Sequence, residues 1–186
     1  MDLAGVPIEV GERISVVGTC GSGKTTTARA LATRLALPCV ELDALSWGPN
    51  WTQRPDDVFR ASLVRAVAGQ RWVIDGNYSK TRDLVWARAD TVVWLDYAFP
   101  RVFAQLVRRT FRRALRREVL WQGNREQLGR QFFSRDSILL WAFKTHWRRQ
   151  REYPDLLARP ENGRLLVVRL RTPRQTRAWL AEVRRR

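Results

Sequence analysis

The sequence predicts an α/β fold, a five-stranded parallel sheet with helices on both faces. Three observations predict it. A glycine-rich turn joins a short β-branched run to a helical pattern over residues 13–35. Short apolar runs then alternate with amphipathic stretches down the chain, the pattern of a parallel sheet covered on both faces. Acidic and small residues stand just after several of those runs, at the strand ends where such sheets bind ligands.

Each element has its own signal. Residues 13–17, Arg-Ile-Ser-Val-Val, read as the first strand, and 24–35 as a helix with Ala28, Leu31, Ala32 and Leu35 on one face. Pro38 breaks that helix, and 39–42 is the second strand. Pro55 starts a helix through 68 with Asp56 and Asp57 in its first turn, where the helix dipole favours acids. Residues 72–74 and 91–95 are the third and fourth strands. Pro100 opens a long arginine-rich helix, 135–151 is another, 165–170 is the fifth strand and 175–184 a closing helix.

At 186 residues the chain reads as one domain. The core takes in about 13–100 and 160–186, and a helical, lid-like region about 101–155. No apolar run reaches membrane-spanning length and no signal peptide is visible. Two cysteines and one histidine make neither a disulfide framework nor a zinc site. The expectation is a cytoplasmic protein, monomer or homodimer, with no membrane partner. The net charge of +16 is uneven: residues 1–93 hold 11 basic and 10 acidic groups, residues 94–186 hold 23 and 8. A second half so basic handles phosphates or nucleic acid.

The motif that carries chemistry is Gly18-Thr-Cys-Gly-Ser-Gly-Lys-Thr25, a complete G-x-x-x-x-G-K-[ST] phosphate loop in the right strand–helix setting. It places the chain among the P-loop NTPases. Gly18, Gly21 and Gly23 let successive N–H groups turn inward around a phosphate, at the positive end of the following helix. Lys24 reaches the β- and γ-phosphates and Thr25 offers its hydroxyl to Mg²⁺. Gly18, Gly21, Ser22, Gly23, Lys24, Thr25 and Thr26 form the expected nucleotide-binding set, with ATP and Mg²⁺ as cofactors. Cys20 fills a variable position.

Beyond the loop, the chain resembles the nucleoside monophosphate kinase-like P-loop proteins, which include adenylate kinase and shikimate kinase. Within them it is most similar to small bacterial proteins described as adenylate kinase-like or as DNA topology modulation proteins. The resemblance rests on residues 18–25, on 41–47 with Trp51, and on Trp-Val-Ile-Asp-Gly-Asn-Tyr at 72–78. It continues through 89–96, Leu-Trp-Gln-Gly-Asn-Arg-Glu at 120–126, and 169–173. Two departures separate the chain from the named kinases. Asp75 and Gly76 match adenylate kinase, but Asn77-Tyr78 replaces its Phe-Pro and the next arginine is Arg82; the glycine-rich segment of shikimate kinase is missing.

The resemblance implies an ATP-dependent phosphotransferase acting on a nucleotide, nucleoside or other small molecule. Asp43 stands where shikimate kinase-like enzymes orient an acceptor hydroxyl, the alternative being a turn cap. Asp75 is the expected Mg²⁺ group, through water, with Asp96 as rival. The stretch 101–117 holds seven arginines and no acid. The resemblance makes it a lid, with Arg109 and Arg113 on ATP and Arg108 and Arg112 as rivals. Arg135 and Arg148 are weaker phosphate ligands. Thr172 and Pro173 match the adenine loop, and also an ordinary helix start. Trp47, Gly76, Asn77 and Tyr78 border the acceptor, Trp51 flanks the same loop, and Arg60 and Arg82 would clamp a monophosphate. The competing reading is a nucleotide-switched nucleic-acid-binding protein, or a polynucleotide or toxin-type kinase.

Overall fold

A computed structural model describes residues 5–116, 118–124 and 137–186. Arg117, Arg125, Glu126 and Arg135 lie outside the described residues. The strands are β1 (Glu9–Val10), β2 (Arg13–Gly18), β3 (Cys39–Glu41), β4 (Trp72–Asp75), β5 (Thr91–Leu95), β6 (Leu166–Leu170) and β7 (Arg184–Arg185). The helices are α1 (Lys24–Leu35), α2 (Leu42–Ser46), α3 (Asp56–Val67), α4 (Arg82–Trp86), α5 (Phe99–Leu115), α6 (Ile138–Leu157) and α7 (Pro173–Glu182).

The main sheet is five-stranded and parallel, in the order β3-β4-β2-β5-β6. Side chains alternate across it, as the period of two requires. Ile14 and Val16 of β2 join Val93, Leu95, Val168 and Leu170 under α1, α5 and α7. Val17, Ile74, Val92 and Trp94 pack on the other face with Phe59, Leu63, Trp86 and Tyr153. Trp72, Trp86, Trp94 and Trp179 are core residues.

This order puts β2 between β4 and β5, so the chain leaves the sheet in opposite directions on either side of the P-loop. Ligands bind at such a switch point. Register does the rest: Val16 pairs with Asp75 and Gly18 with Leu95, so Asp75 and Asp96 arrive on opposite flanks of the loop.

Several boundaries differ from the sequence reading. Leu42 does not end β3 but starts the short helix α2, which carries Asp43. Asp75 is the last residue of β4 rather than a residue beyond it. The closing helix stops at Glu182, because Arg184–Arg185 pairs in parallel with Glu9–Val10 in a two-stranded sheet. Two residues at each end of the chain are too few to carry a periodicity, so that pairing has no sequence signal. Trp179 ties it down by donating its indole N–H to the Pro7 carbonyl at 2.7 Å.

Candidate nucleotide and acceptor site

The P-loop closes over the N-terminus of α1. Gly21 sits at φ +90°, and a Cβ there would come within 2.8 Å of both Leu106 Cβ and the Val102 carbonyl. The loop is therefore pressed against α5, and only glycine fits. Lys24 rests with its ammonium on the Thr19 carbonyl at 3.3 Å. The buried Ser22 hydroxyl has no hydrogen-bond partner among the described residues. Thr26 is exposed.

Asp75 is 5 % exposed and accepts a hydrogen bond from the Thr25 hydroxyl at 2.5 Å. Its second oxygen, Oδ1, is buried without a partner among the described residues. Burial pushes its carboxyl above the usual range, against the pull of Lys24 and the Thr25 hydroxyl. A buried carboxylate with an unused oxygen beside a P-loop threonine fits a hydrated Mg²⁺. Asp96 has another employment. Its Oδ2 takes Arg169 at 2.9 and 2.6 Å, and Gln150 donates to Oδ1 at 3.2 Å. It is a brace between β5, β6 and α6.

The segment after β4 corrects the sequence reading in one place. Asn77 was expected to border an acceptor, and its amide is engaged on the P-loop instead. Its Oδ1 accepts from the Gly18 N–H at 3.0 Å and from the Tyr153 hydroxyl at 3.1 Å, and its Nδ2 donates to the Gly18 carbonyl. The side chain thus holds the start of the P-loop from the neighbouring strand. Gly76, at φ +147°, passes so close to Leu42 that a Cβ would lie 2.7 Å from it. The structure joins Tyr78 to Asp43: its hydroxyl donates to Asp43 Oδ1 at 2.7 Å, and its ring packs edge-on to Phe59. Burial, then Asp43, holds the phenol well above its ordinary value. Tyr78 is therefore a permanent donor to Asp43.

The arginines sort by burial. On α5, Arg108 and Arg112 are exposed, as is Arg116 at its C-cap, whereas Arg109 and Arg113 are half-buried. Arg109 reaches the P-loop, with Nη2 3.7 Å from Cys20 Sγ. The row is not without acid: Glu118, just beyond it, lies 3.6 Å from both Arg112 and Arg113. Arg60 is not in the site. It pairs with Asp83 at 2.9 Å on an exposed surface and donates to the Lys80 carbonyl. Arg82 lies 5.5 Å from the ring centres of Trp86 and Tyr153, in a small cleft also lined by Gly76, Asn77 and Tyr78.

Arg148 is exposed and faces Glu152 at 3.8 Å. Its neighbour Arg149, which the sequence reading passed over, is 8 % exposed and donates to the Thr145 hydroxyl at 3.1 Å. Among the described residues no carboxylate pairs with it. Desolvation lowers its basicity, and Cys20, Tyr153 and Arg82 are within its electrostatic reach. A buried guanidinium without an acid is costly unless an anion completes it. One position in a run of Arg-Arg-Gln-Arg gives no hint of which arginine turns inward. The helical phase relative to Ala142, Thr145 and Tyr153 is the signal that would have found it.

At the far end of the sheet Thr172 caps α7, accepting from the Gln175 N–H at 3.1 Å, with Pro173 in the first turn. The helix-start role expected of this pair is thus realised. Near Asp43, Trp47 and Trp51 meet edge to face with ring centres 5.6 Å apart.

The comparisons agree with this architecture. The family model described as "ATPase family associated with various cellular activities (AAA)" matches residues 14–96, the P-loop half of the chain. No curated protein matches the sequence. Among solved structures, a gluconokinase from Sinorhizobium meliloti 1021 is similar at 19% identity and TM-score 0.53, over 93% of both chains. A shikimate kinase from Bacteroides thetaiotaomicron is similar at 16% identity and TM-score 0.53, over 91% of this chain and 94% of that one. A putative kinase from Chloroflexus aurantiacus J-10-fl is similar at 17% identity and TM-score 0.51, over 93% and 96%. The chain therefore has the α/β P-loop NTPase fold.

Proposed function

We propose that the chain is an ATP- and Mg²⁺-dependent kinase that phosphorylates a small hydroxylated acceptor. The observation that carries this reading is Asp75, buried, bonded to P-loop Thr25 and holding one unused oxygen. The structural neighbours that bear the names gluconokinase and shikimate kinase support it as relatives in fold. Mg²⁺ when bound supplies charge neutralisation to the phosphates. Thr25 and Asp75 are the residues that would hold it, Asp75 through water. Lys24 leaves the Thr19 carbonyl for the phosphates. Arg109, 3.7 Å from Cys20 on the P-loop, and the buried Arg149 cover negative charge on the transferring group. Arg113 stands one turn behind Arg109.

On the acceptor side, Asp43 is the base or orienter for the hydroxyl. Tyr78 occupies its Oδ1, which leaves Oδ2 to accept the acceptor's hydrogen bond. Arg82 is the cation available to an anionic group on the acceptor, and Trp47 and Trp51, after Asp43, would flank an acceptor ring. Thr172 and Pro173 stay as the adenine-side proposal. For the narrower kinship with adenylate kinase-like DNA topology modulation proteins, the segments 72–78 and 120–126 are the more discriminating support.

The test is a phosphotransfer screen with γ-labelled ATP, with and without Mg²⁺. The acceptors are nucleosides, nucleoside monophosphates, sugars, sugar acids and oligonucleotide 5′ ends. The expected result is Mg²⁺-dependent labelling of a small molecule. Labelling confined to oligonucleotide ends points to the polynucleotide kinase reading. No labelling, with steep salt-dependent DNA binding, rejects the small-molecule kinase.

A further inference from the structure

The segment 120–124 stood out in the sequence, and the reading above leaves it without a task. It lies between the arginine helix α5 and α6, yet it packs against the loop that follows Asp43. Two observations fix it there. Trp121 donates its indole N–H to Glu41 Oε2 at 3.0 Å, at the carboxyl end of β3. Asn124, only 4 % exposed, spends both ends of its amide on residues 48–51: Nδ2 donates to the Gly48 carbonyl at 2.8 Å, and Oδ1 accepts from the Trp51 N–H at 2.9 Å.

The turn it grips is strained. Asn50 and Trp51 both adopt φ of +56°. Asparagine tolerates that region, but a bulky aromatic is a true outlier there. Two successive left-handed residues persist only when their surroundings over-determine them. Inside the turn, Gly48 N–H donates to the Thr52 carbonyl at 2.8 Å and Thr52 N–H to the Pro49 carbonyl at 3.1 Å. The Thr52 hydroxyl donates to the Pro49 carbonyl at 2.7 Å, and Asn124 adds two contacts from a distant part of the chain. The conformation matters because it sets Trp51 edge-on against Trp47, whose own N–H bonds the Asp43 carbonyl at 3.0 Å.

We propose that Asn124 is a positioning residue that clamps the 48–51 turn and so holds the Trp47–Trp51 pair as the acceptor-side wall. Its effect on an acceptor rests on the kinase reading; its effect on the turn does not. Carbonyl and amide are both needed, because one end must accept and the other donate. Asn124→Asp keeps the shape, loses the donor to Gly48 and sets a carboxylate against a carbonyl.

The experiment has readouts that separate the two parts. A close tryptophan pair gives an exciton couplet in circular dichroism, assigned by its loss in Trp47→Phe and in Trp51→Phe. Asn124→Asp is expected to lose at least half of the couplet, with the cooperative thermal transition kept. In the unsubstituted protein the Trp51 amide is expected to exchange at least tenfold more slowly than a free chain. ATP affinity is expected to change less than twofold. With D-gluconate, shikimate and AMP as acceptor probes, transfer is expected to fall at least tenfold. A couplet retained in Asn124→Asp, or a Trp51 amide that exchanges as in a free chain, overturns the clamp. A fivefold loss of ATP affinity overturns its acceptor-side role. If the unsubstituted protein phosphorylates nothing while the couplet behaves as stated, the kinase reading fails and the clamp stands.

Discussion

Replacing Asp75 by Asn tests the site at its least comfortable atom. In the nucleotide-free protein this carboxylate is buried, one oxygen on Thr25 and the other with no partner among the described residues. A buried, incompletely paired charge costs several kcal/mol, and an unpaired neutral amide about 1–3 kcal/mol. Asn keeps the acceptor for Thr25 and removes the charge, though Lys24 loses an opposite neighbour. The balance predicts that Asp75→Asn stabilises the nucleotide-free fold by about 1–2 kcal/mol, or about 2–8 °C in Tm for a chain of this size.

The pH dependence has a definite sign. The folded carboxyl binds its proton more tightly than the unfolded one. Its contribution to stability therefore falls as pH rises from the usual carboxylate value to the folded value, and stays lost above. The gain in Asp75→Asn grows as pH rises toward the folded value and shrinks on acidification. Turnover moves the other way, falling about 10²–10³-fold with the loss of a charge that holds the metal. Calorimetric melts across pH, beside phosphotransfer rates at saturating Mg²⁺ and ATP, measure both. A variant that melts below the parent at neutral pH, or turns over at its rate, refutes this account of Asp75.

Lys24→Ala should abolish ATP binding in titration calorimetry while the cooperative thermal transition is kept, since among the described residues the ammonium's hydrogen bond is to the Thr19 carbonyl. Asp96→Asn should do the reverse, costing about 1–2 kcal/mol by breaking the Arg169 pair and sparing ATP affinity; weakened Mg²⁺-ATP binding with a normal melt would exchange the roles of the two acids. Arg109→Ala should slow phosphotransfer about 10²–10³-fold, whereas exposed Arg108→Ala should slow it less than about threefold. Equal effects of the two in initial-rate assays would reject the inward-facing assignment.

Much of the site was legible because its chemistry is local. The spacing from Gly18 to Thr25 specifies the loop within eight residues, and β-branched runs at 72–74 and 91–95 announce the strands on either side. Asp75 and Tyr78 were visible because they follow such a run. Asn77 was visible too, but its direction was not. A residue one step past a strand faces the ligand or the neighbouring strand according to the local turn, and here the left-handed Gly76 turns it back onto Gly18.

What the sequence determined by itself was the fold class, the phosphate loop and the set of acids from which a metal ligand is drawn. Each depends on residues within a helical turn or a strand length of one another. The tertiary structure alone decided which acid is left incomplete, since Asp75 and Asp96 both end apolar strands and only the cross-sheet Arg169 neutralises one of them. It alone turned Arg149 inward and left Arg148 in solvent, and set Arg60 on Asp83 rather than in the cleft. The clamp of Asn124 on Gly48 and Trp51 spans more than 70 positions. A pairing between two polar turns that far apart leaves no periodicity in either, so only the folded chain reveals it.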